Sequence, residues 1–461
     1  MQALPALRDK AMVHPRPEST FEGTREESFH HHLLHQVTYD TLLKAERRSG
    51  HARAAQWLAE RVGDRAAEYL ALAADHYERA GDTPRAIDWL QRAATAARER
   101  FANSTALALL DRLLAMPELE ARQRYELLNH QASIADLVGE RALQARALAA
   151  MWQLAEALGD DSLRAETLAL QALHADRIGE LARAEELAAR ALAVAELGVN
   201  ARAATLASCE SGWLLLQRGR TAEAETRFEL GLRWARRAAV EMKHPHDDIY
   251  VPMLLTMKAT GLVQKGDCEG AIATLRKALV LGEAVPSLRV ICGCHDWLSV
   301  AAVRLFDLPL ARRHTEAMAE VARQIGFPVM LASALTKRGE IALYEGRFED
   351  AAALAQQGAQ ALAALGSPQH EGYSLGIAGL ALAASGLHTA ARERYQRANA
   401  AFAKSQLEHD MRSSRLLIAE TWRAEGALAQ AQALVEPEMA KLDAHDALDT
   451  TYIAMSARMA A

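Results

Sequence analysis

Apolar and small residues recur along this chain at two nested intervals. The shorter interval is helical: in the stretch from Glu26, Leu33, Leu34, Val37, Leu42 and Leu43, then Ala54, Ala55, Trp57 and Leu58, fall where one face of a helix would need them. The longer interval is 40 residues. Gly346 is preceded seven residues earlier by Gly339 and followed five and twelve residues later by Ala351 and Gly358. Forty residues on, Gly386 repeats this with Gly379, Ala391 and Ala398. The register extends through turn positions Gly139, Gly179, Gly219, Gly266, Phe306, Gly346, Gly386 and Gly426, at intervals of 40, 40, 47, 40, 40, 40 and 40, with an earlier copy at Gly81. The residue seven before each turn is always small: Ala74, Ala132, Ala172, Gly212, Ala259, Ser299, Gly339, Gly379, Ala419. The residue five after is alanine in every copy except Gln144.

A period of this length predicts a solenoid, since one helix pair cannot bury its apolar face alone and must share a core with its neighbours. Glycine at each turn supplies the positive φ that ends the first helix of a pair. Small residues are expected where the two backbones approach most closely. The spacing of small residue, turn glycine and later small residues resembles the tetratricopeptide repeat. That repeat is about 34 residues long, so a 40-residue unit implies longer helices, and the late proline of the usual motif is missing. The fold expected is all-α: a right-handed α-solenoid of tetratricopeptide-like helix pairs. The expected division is an irregular segment over 1–25, a helical segment with the first pair over 26–116, the repeat solenoid over 117–440 and a capping helix over 441–461.

Residues 26–100 carry a second resemblance. Phe29, His31, Leu33, Val37, Tyr39, Leu42, Leu43, Arg47 and His51, followed by Leu72, Ala73, His76, Tyr77, Ala80, Gly81 and Asp82, resemble the end of the ATPase module of bacterial multidomain signal-transduction ATPases. One branch of that family carries a class III adenylate/guanylate cyclase domain and others carry DNA-binding domains; in all of them the ATPase leads into a helical repeat arm. The resemblance covers roughly residues 11–195, including Asp136–Glu166, and beyond that only the repeat register carries it. It implies a sensor arm joined to a catalytic core encoded upstream. The chain itself has no Gly-Lys dipeptide and therefore no P-loop to cradle phosphate, so no ATPase or cyclase activity of its own is expected.

Composition narrows the picture. Half the residues are hydrophobic but only 5% are aromatic, which suits close helix packing on alanine and leucine. The net charge of −6 is interspersed and offers no basic footprint for nucleic acid. Four cysteines in 461 residues are too few for a disulfide framework and point to a reducing cytoplasm. No run of about 18 apolar residues suggests a membrane span.

Candidate metal sites are weak. His31 and His35 share a helix face but lack the glutamate of a zinc-protease helix. Cys292 and Cys294 would point about 200° apart on a helix. His244, His246, Asp247 and Asp248 fall in the long interval between units. No nucleophile motif is present, and no cofactor or metal is expected. The expected site is the concave face, lined by the first helix of each pair. Positions ten and six before the turns give Trp213, Thr260, Asp296, Thr336, Glu340 and Glu420 as candidate ligand contacts. That mixture suits a protein partner, a neutral or basic peptide, or a small effector.

Overall fold

The computed structural model describes residues 4–439 apart from 20, 22, 63–66, 198–199, 242–248 and 286. The expected capping helix over 441–461, and His244, His246, Asp247 and Asp248, lie outside the described residues. The chain divides into two compact units, Met1–Leu127 and Leu128–Ala461.

In the first unit, the expected irregular segment is partly ordered. It holds α1 (Leu4–Asp9) and β1 (Val13–Pro15), which pairs antiparallel with β2 (Glu27–Phe29). Val13, only 7% exposed, supplies the apolar anchor that three prolines in the segment obscure. Helices α2 (His32–Thr41), α3 (Lys44–Val62), α4 (Ala67–Ala80), α5 (Thr83–Glu99) and α6 (Asn103–Leu114) follow. Gly50 does not break α3, which runs through it. Tyr39, His51 and His76 form a chain: the Tyr39 hydroxyl is 2.8 Å from His51 Nε2, and His51 Nδ1 is 2.8 Å from His76 Nδ1. Arg112 reaches back from α6 to both Asp75, at 2.6 Å, and Glu78, at 2.9 Å. Leu33, Val37 and Leu43 remain largely exposed.

The second unit is the repeat array. Its pairs are α7 (Ala121–Val138, which begins in the first unit) with α8 (Arg141–Leu158), α9 (Asp161–Arg177) with α10 (Leu181–Leu197), and α11 (Ala201–Gln217) with α12 (Thr221–Glu241). Next come α13 (Tyr250–Gln264) with α14 (Cys268–Ala284), α15 (Leu288–Arg304) with α16 (Leu308–Ile325), and α17 (Pro328–Tyr344) with α18 (Phe348–Ala364). The last two are α19 (Pro368–Ala384) with α20 (His388–Lys404), and α21 (Glu408–Ala424) with α22 (Leu428–Met439). The 40-residue period is now explained: a regular unit is two 17-residue helices with a three-residue connection after each. Each helix is therefore about 25 Å long.

The turns fall where the register put them. Gly139, Gly179, Gly219, Gly266, Gly346, Gly386 and Gly426 all have positive φ. Phe306 adopts the same left-handed conformation, with φ 58°, although it carries a Cβ. The residue after the turn then caps the second helix in two of these pairs: Asp267 accepts from the Gly270 amide at 2.9 Å, and Asp307 from the Leu310 amide at 3.0 Å. Such caps contribute about 1 kcal/mol each.

The small residue seven before the turn meets the residue nine after it, on the second helix of the same pair. A Cβ on Gly379 would collide with the Tyr395 ring, and one on Gly212 with the Phe228 ring. At Gly339, the Ala351 carbonyl and the Ala355 amide lie 3.0 and 3.1 Å from where a Cβ would stand. Ser299 and Thr315 share a hydrogen bond of 2.8 Å at the same level. Sizes are complementary across the seam: glycine opposite an aromatic, serine opposite threonine.

The array winds far enough to touch itself. The Gly179 turn sits against the end of α20, where a Cβ on Gly179 would lie 2.8 Å from the Lys404 carbonyl oxygen and 3.1 Å from the Ser405 Cα. Buried residues of α9, α10 and α11 join Ala359, Leu375, Ala398, Phe402 and Leu407 in one apolar cluster. Arg289 of α15 forms an ion pair with Asp136 of α7.

Candidate functional site

Several first helices lie side by side: α9 with α11, α11 with α13, α13 with α15, and α17 with α19. Asp136 is 4% exposed and holds two arginines, Arg141 at 2.7 Å and Arg289. Burial works to raise the Asp136 carboxyl, but Arg289, Arg177 and Arg141 outweigh it and keep it well below the usual carboxylate range. Asp176 accepts from Gln217 Nε2 at 2.6 Å and lies 3.6 Å from Arg177. Burial would lower Arg177; the field of Asp136, Asp176 and Glu210 instead raises it.

On the opposite side, Asp296 of α15 pairs with Lys337 of α17 at 2.9 Å. His370 of α19 feels the charges of both of these and of Arg177 as well. Burial and Arg177 push the His370 imidazole down to about 4, leaving it neutral near pH 7. Three residues on, Tyr373 keeps 46% of its surface accessible, yet loss of solvation and the Asp410 charge raise its hydroxyl. A Cβ on Gly376 would meet nothing within 4 Å.

Three carboxyl groups stand apart. Glu210 is 7% exposed and its Oε1 has no hydrogen-bond partner. Burial and Asp176 raise its carboxyl well above the usual range against the pull of Arg177. Glu340 is raised by burial, with Lys337 and Arg304 opposing from beyond ion-pair distance, and burial also raises Asp410. Beside Glu210, burial pushes the Cys209 thiol up to about 12, which removes it as a nucleophile.

The six residues picked from sequence divide. Asp296, Thr336 and Glu340 lie on the adjacent helices α15 and α17, where Asp296 is spent on Lys337 and the Thr336 hydroxyl on Ser374. Trp213 packs, partly buried, against the core cluster that includes Leu216, Phe228 and Leu254, and its indole nitrogen has no hydrogen-bond partner. Thr260 is a correction: it is fully buried and bonds the Thr256 carbonyl of its own helix at 3.2 Å, so it presents nothing to a ligand. Glu420 holds Arg423 on its own helix at 2.6 Å. Cys292 and Cys294 face different neighbours, the Met318 carbonyl at 3.7 Å and the Thr256 hydroxyl at 3.3 Å.

The chain is a tetratricopeptide-like solenoid. No family model matches its sequence, and no curated protein matches it. Solved structures do share the fold. One is a Rap protein complexed with Competence and Sporulation Factor, with TM-score 0.55 at 13% identity, covering 77% of this chain and 96% of that one. Another is the APC/C hetero-tetramer Cut9–Hcn1, with TM-score 0.51 at 12% identity, covering 84% of this chain and 76% of that one. A signal transduction ATPase with numerous domains and a tetratricopeptide repeat sensor, from Pyrococcus horikoshii, gives TM-score 0.49 at 16% identity over 75% of this chain. The chain spans half the length of that ATPase.

Sequence reasoning missed Asp136, Arg177, Glu210, Arg289, Lys337, His370, Tyr373 and Asp410. The available signal was polar residues on helices whose register otherwise asks for apolar or small ones. Among the described residues, no helix is long and apolar enough to cross a membrane.

Proposed function

We propose that the chain is a non-catalytic scaffold or sensor arm that recognises a protein or peptide partner in the groove between its first helices. The observation that carries this reading is a set of polar side chains on the first helices, some fixed by ion pairs, such as Asp136 and Lys337, and some unspent, such as Glu210, with the half-exposed Tyr373 among them. Rigid, pre-positioned polar groups bind at low ordering cost. The Rap protein of similar fold is complexed with a factor of its own, which agrees with this use of the architecture. The partner reading extends to bacterial signalling in a reducing cytoplasm through the signature from Phe29 to Asp82. The exposed Leu33, Val37 and Leu43 would then pack on an ATPase core, with a cyclase or a DNA-binding domain further along such a protein.

The test is a selection of randomised peptides on the immobilised chain, followed by hydrogen exchange with the recovered sequence. Protection of α11, α17 and α19 over α12, α18 and α20 is expected. Protection confined to the second helices, or a selection that recovers nothing, would overturn the groove reading. Calorimetric titration with ATP is expected to give no binding heat, and ATP turnover by the chain would refute the non-catalytic assignment.

A further inference from the structure

The coil closes on itself edge to edge. Each repeat pair has a turn edge, between its two helices, and a junction edge, where it meets the next pair. Asp136, in the last turn of α7 beside Gly139, pairs with Arg289 in the first turn of α15. The Gly179 turn meets Lys404 and Ser405, where α20 ends before α21. Both contacts set the turn edge of an early pair on the junction edge of a late one. Ser405 and Leu407 are buried there, and beside the Gly139 and Gly179 turns Ile178 is the one large apolar side chain left exposed among the described residues.

Two edges have no such counterpart among the described residues: the turn edge of the late pairs and the junction edge of the early ones. Exposed apolar side chains collect on both. Leu305, Phe306, Tyr344, Leu387 and Leu428 stand at four successive late turns, Phe306 with 70% of its surface accessible. The Phe306 and Tyr344 rings meet edge-on at 5.4 Å, so neighbouring turns share one surface. At the early junctions, Leu158 ends α8 and Leu197 ends α10, and both are exposed. Two of the late residues also break the local rules of the fold. Phe306 holds a φ of 58° where the other turns of the array have glycine. Leu387 takes the position after the turn, at which Asp267 and Asp307 cap their helices, and it makes no cap. Leucine is among the poorest N-caps. Each position gives up local stability and displays an apolar side chain at the same edge, and strain kept in this way points to use.

We propose that the late turn edge is an interaction surface for a second copy of this chain, whose early junction edge, with Leu158 and Leu197, seats on the strip from Leu305 to Leu428. The internal contact names the occupant. Within one chain a turn edge already rests on a junction edge of the same repeat type, and a second copy offers the next junction edge to the free end. Apolar side chains exposed on both edges lose water together when they meet. The two edges are different surfaces, so the contact is heterologous and joins copies head to tail, continuing the coil of one chain into the next. This contact stands whether or not the inner face binds a partner.

Sedimentation velocity over a concentration series decides this. The average mass of the parent chain is expected to rise with concentration above that of one copy. The late-edge variant, Phe306→Asn with Leu387→Asp, is expected to stay monomeric with unchanged circular dichroism, since asparagine tolerates the left-handed backbone and aspartate restores a cap. The early-edge variant, Leu158→Lys with Leu197→Lys, is expected to stay monomeric as well, since each lysine falls at a helix C-terminus that favours a cation. Mixed together, the two variants each retain one intact edge and are expected to form a dimer of one copy of each, which goes no further. If the late-edge double variant does not fold, Leu387→Asp alone is expected to weaken association at least severalfold. A parent chain monomeric at every concentration would overturn the inference, as would variants that associate like the parent. Parent association with no dimer in the mixture would show a contact between like edges and would overturn the head-to-tail assignment.

Discussion

Within each repeat pair, two surfaces a few residues apart obey different rules. The seam between the two helices is built from one position repeated: a small residue seven before the turn against a partner nine after it, as in Gly379 with Tyr395 and Gly339 with Ala355. The inner face of the same first helices repeats no residue type. Asp136, Arg177 and His370 sit three, two and sixteen positions before their turns, while Glu210 and Lys337 share the position nine before and carry opposite charges. The seam must be uniform because two backbones have to approach there in every copy. The inner face is free of that demand, so the identity of a particular groove can be written there. Uniformity marks the seam that every pair shares, and irregularity marks the face on which the copies differ.

The largest effect should come from the inner face, not the seam. Asp136→Ala leaves Arg141 and Arg289 without their buried partner, and breaking such a pair costs on the order of 3–5 kcal/mol. Urea unfolding is expected to show that loss, and a shift under about 1 kcal/mol would mean that the closure of the coil does not depend on this pair. At the seam, Gly339→Leu overpacks a contact already at 3.0 Å and is expected to cost about 1–3 kcal/mol. The same change at Gly376, which faces open space, lies outside that overpacking range. Equal melting of the two variants would erase the distinction between the surfaces.

A gentler probe is pH. His314 on α16 faces His295 across the pair, with ring nitrogens 3.0 Å apart and Arg313 and Arg276 acting on it. Burial, then His295, holds its pKa down to about 4 against 6.5 in the unfolded chain. Between those values the unfolded chain binds more protons. Stability should therefore fall as pH drops from about 6.5 toward 4, and be fully present above that window. His314→Gln should flatten part of this slope in thermal melts across pH; an unchanged slope would assign it elsewhere. The smallest effect is expected at Phe306. Phe306→Gly relieves a left-handed backbone, worth roughly 1 kcal/mol, but gives up the edge-on contact with Tyr344 at 5.4 Å. A net change within about 0.5 kcal/mol either way is expected, and a large loss would show that the exposed ring does more than occupy a turn.

The division between seam and groove also explains what could be read before the structure. The 40-residue period, the turns and the small residues from Ala132 to Ala419 were legible because each recurs, and recurrence survives the loss of any one copy, as Phe306 in place of glycine demonstrates. The inner face was less legible. Two fixed offsets gave Asp296, Thr336 and Glu340, which lie on neighbouring helices, but the offset that gave Glu340 also gave the buried Thr260. The same rule overlooked Arg177 and His370, because which residues meet across the coil depends on how steeply it winds, and a sequence period carries no pitch. Val13 escaped for another reason: its strand is stabilised by pairing with Phe29, a contact that no local pattern announces.

The packing of the Gly179 turn on the end of α20 changes how this array should fold and come apart. A strictly linear solenoid behaves as a row of neighbours, able to nucleate anywhere and to lose its terminal units one at a time. Here α9 is stitched to residues more than two hundred positions later through Ala398, Phe402 and Leu407. That contact raises the contact order, which slows folding. It also binds early pairs to late ones in a single cooperative step. Removing α19–α22 from such a chain does not shorten a ladder by two rungs; it strips the apolar flank from α9 and α10 at the other end.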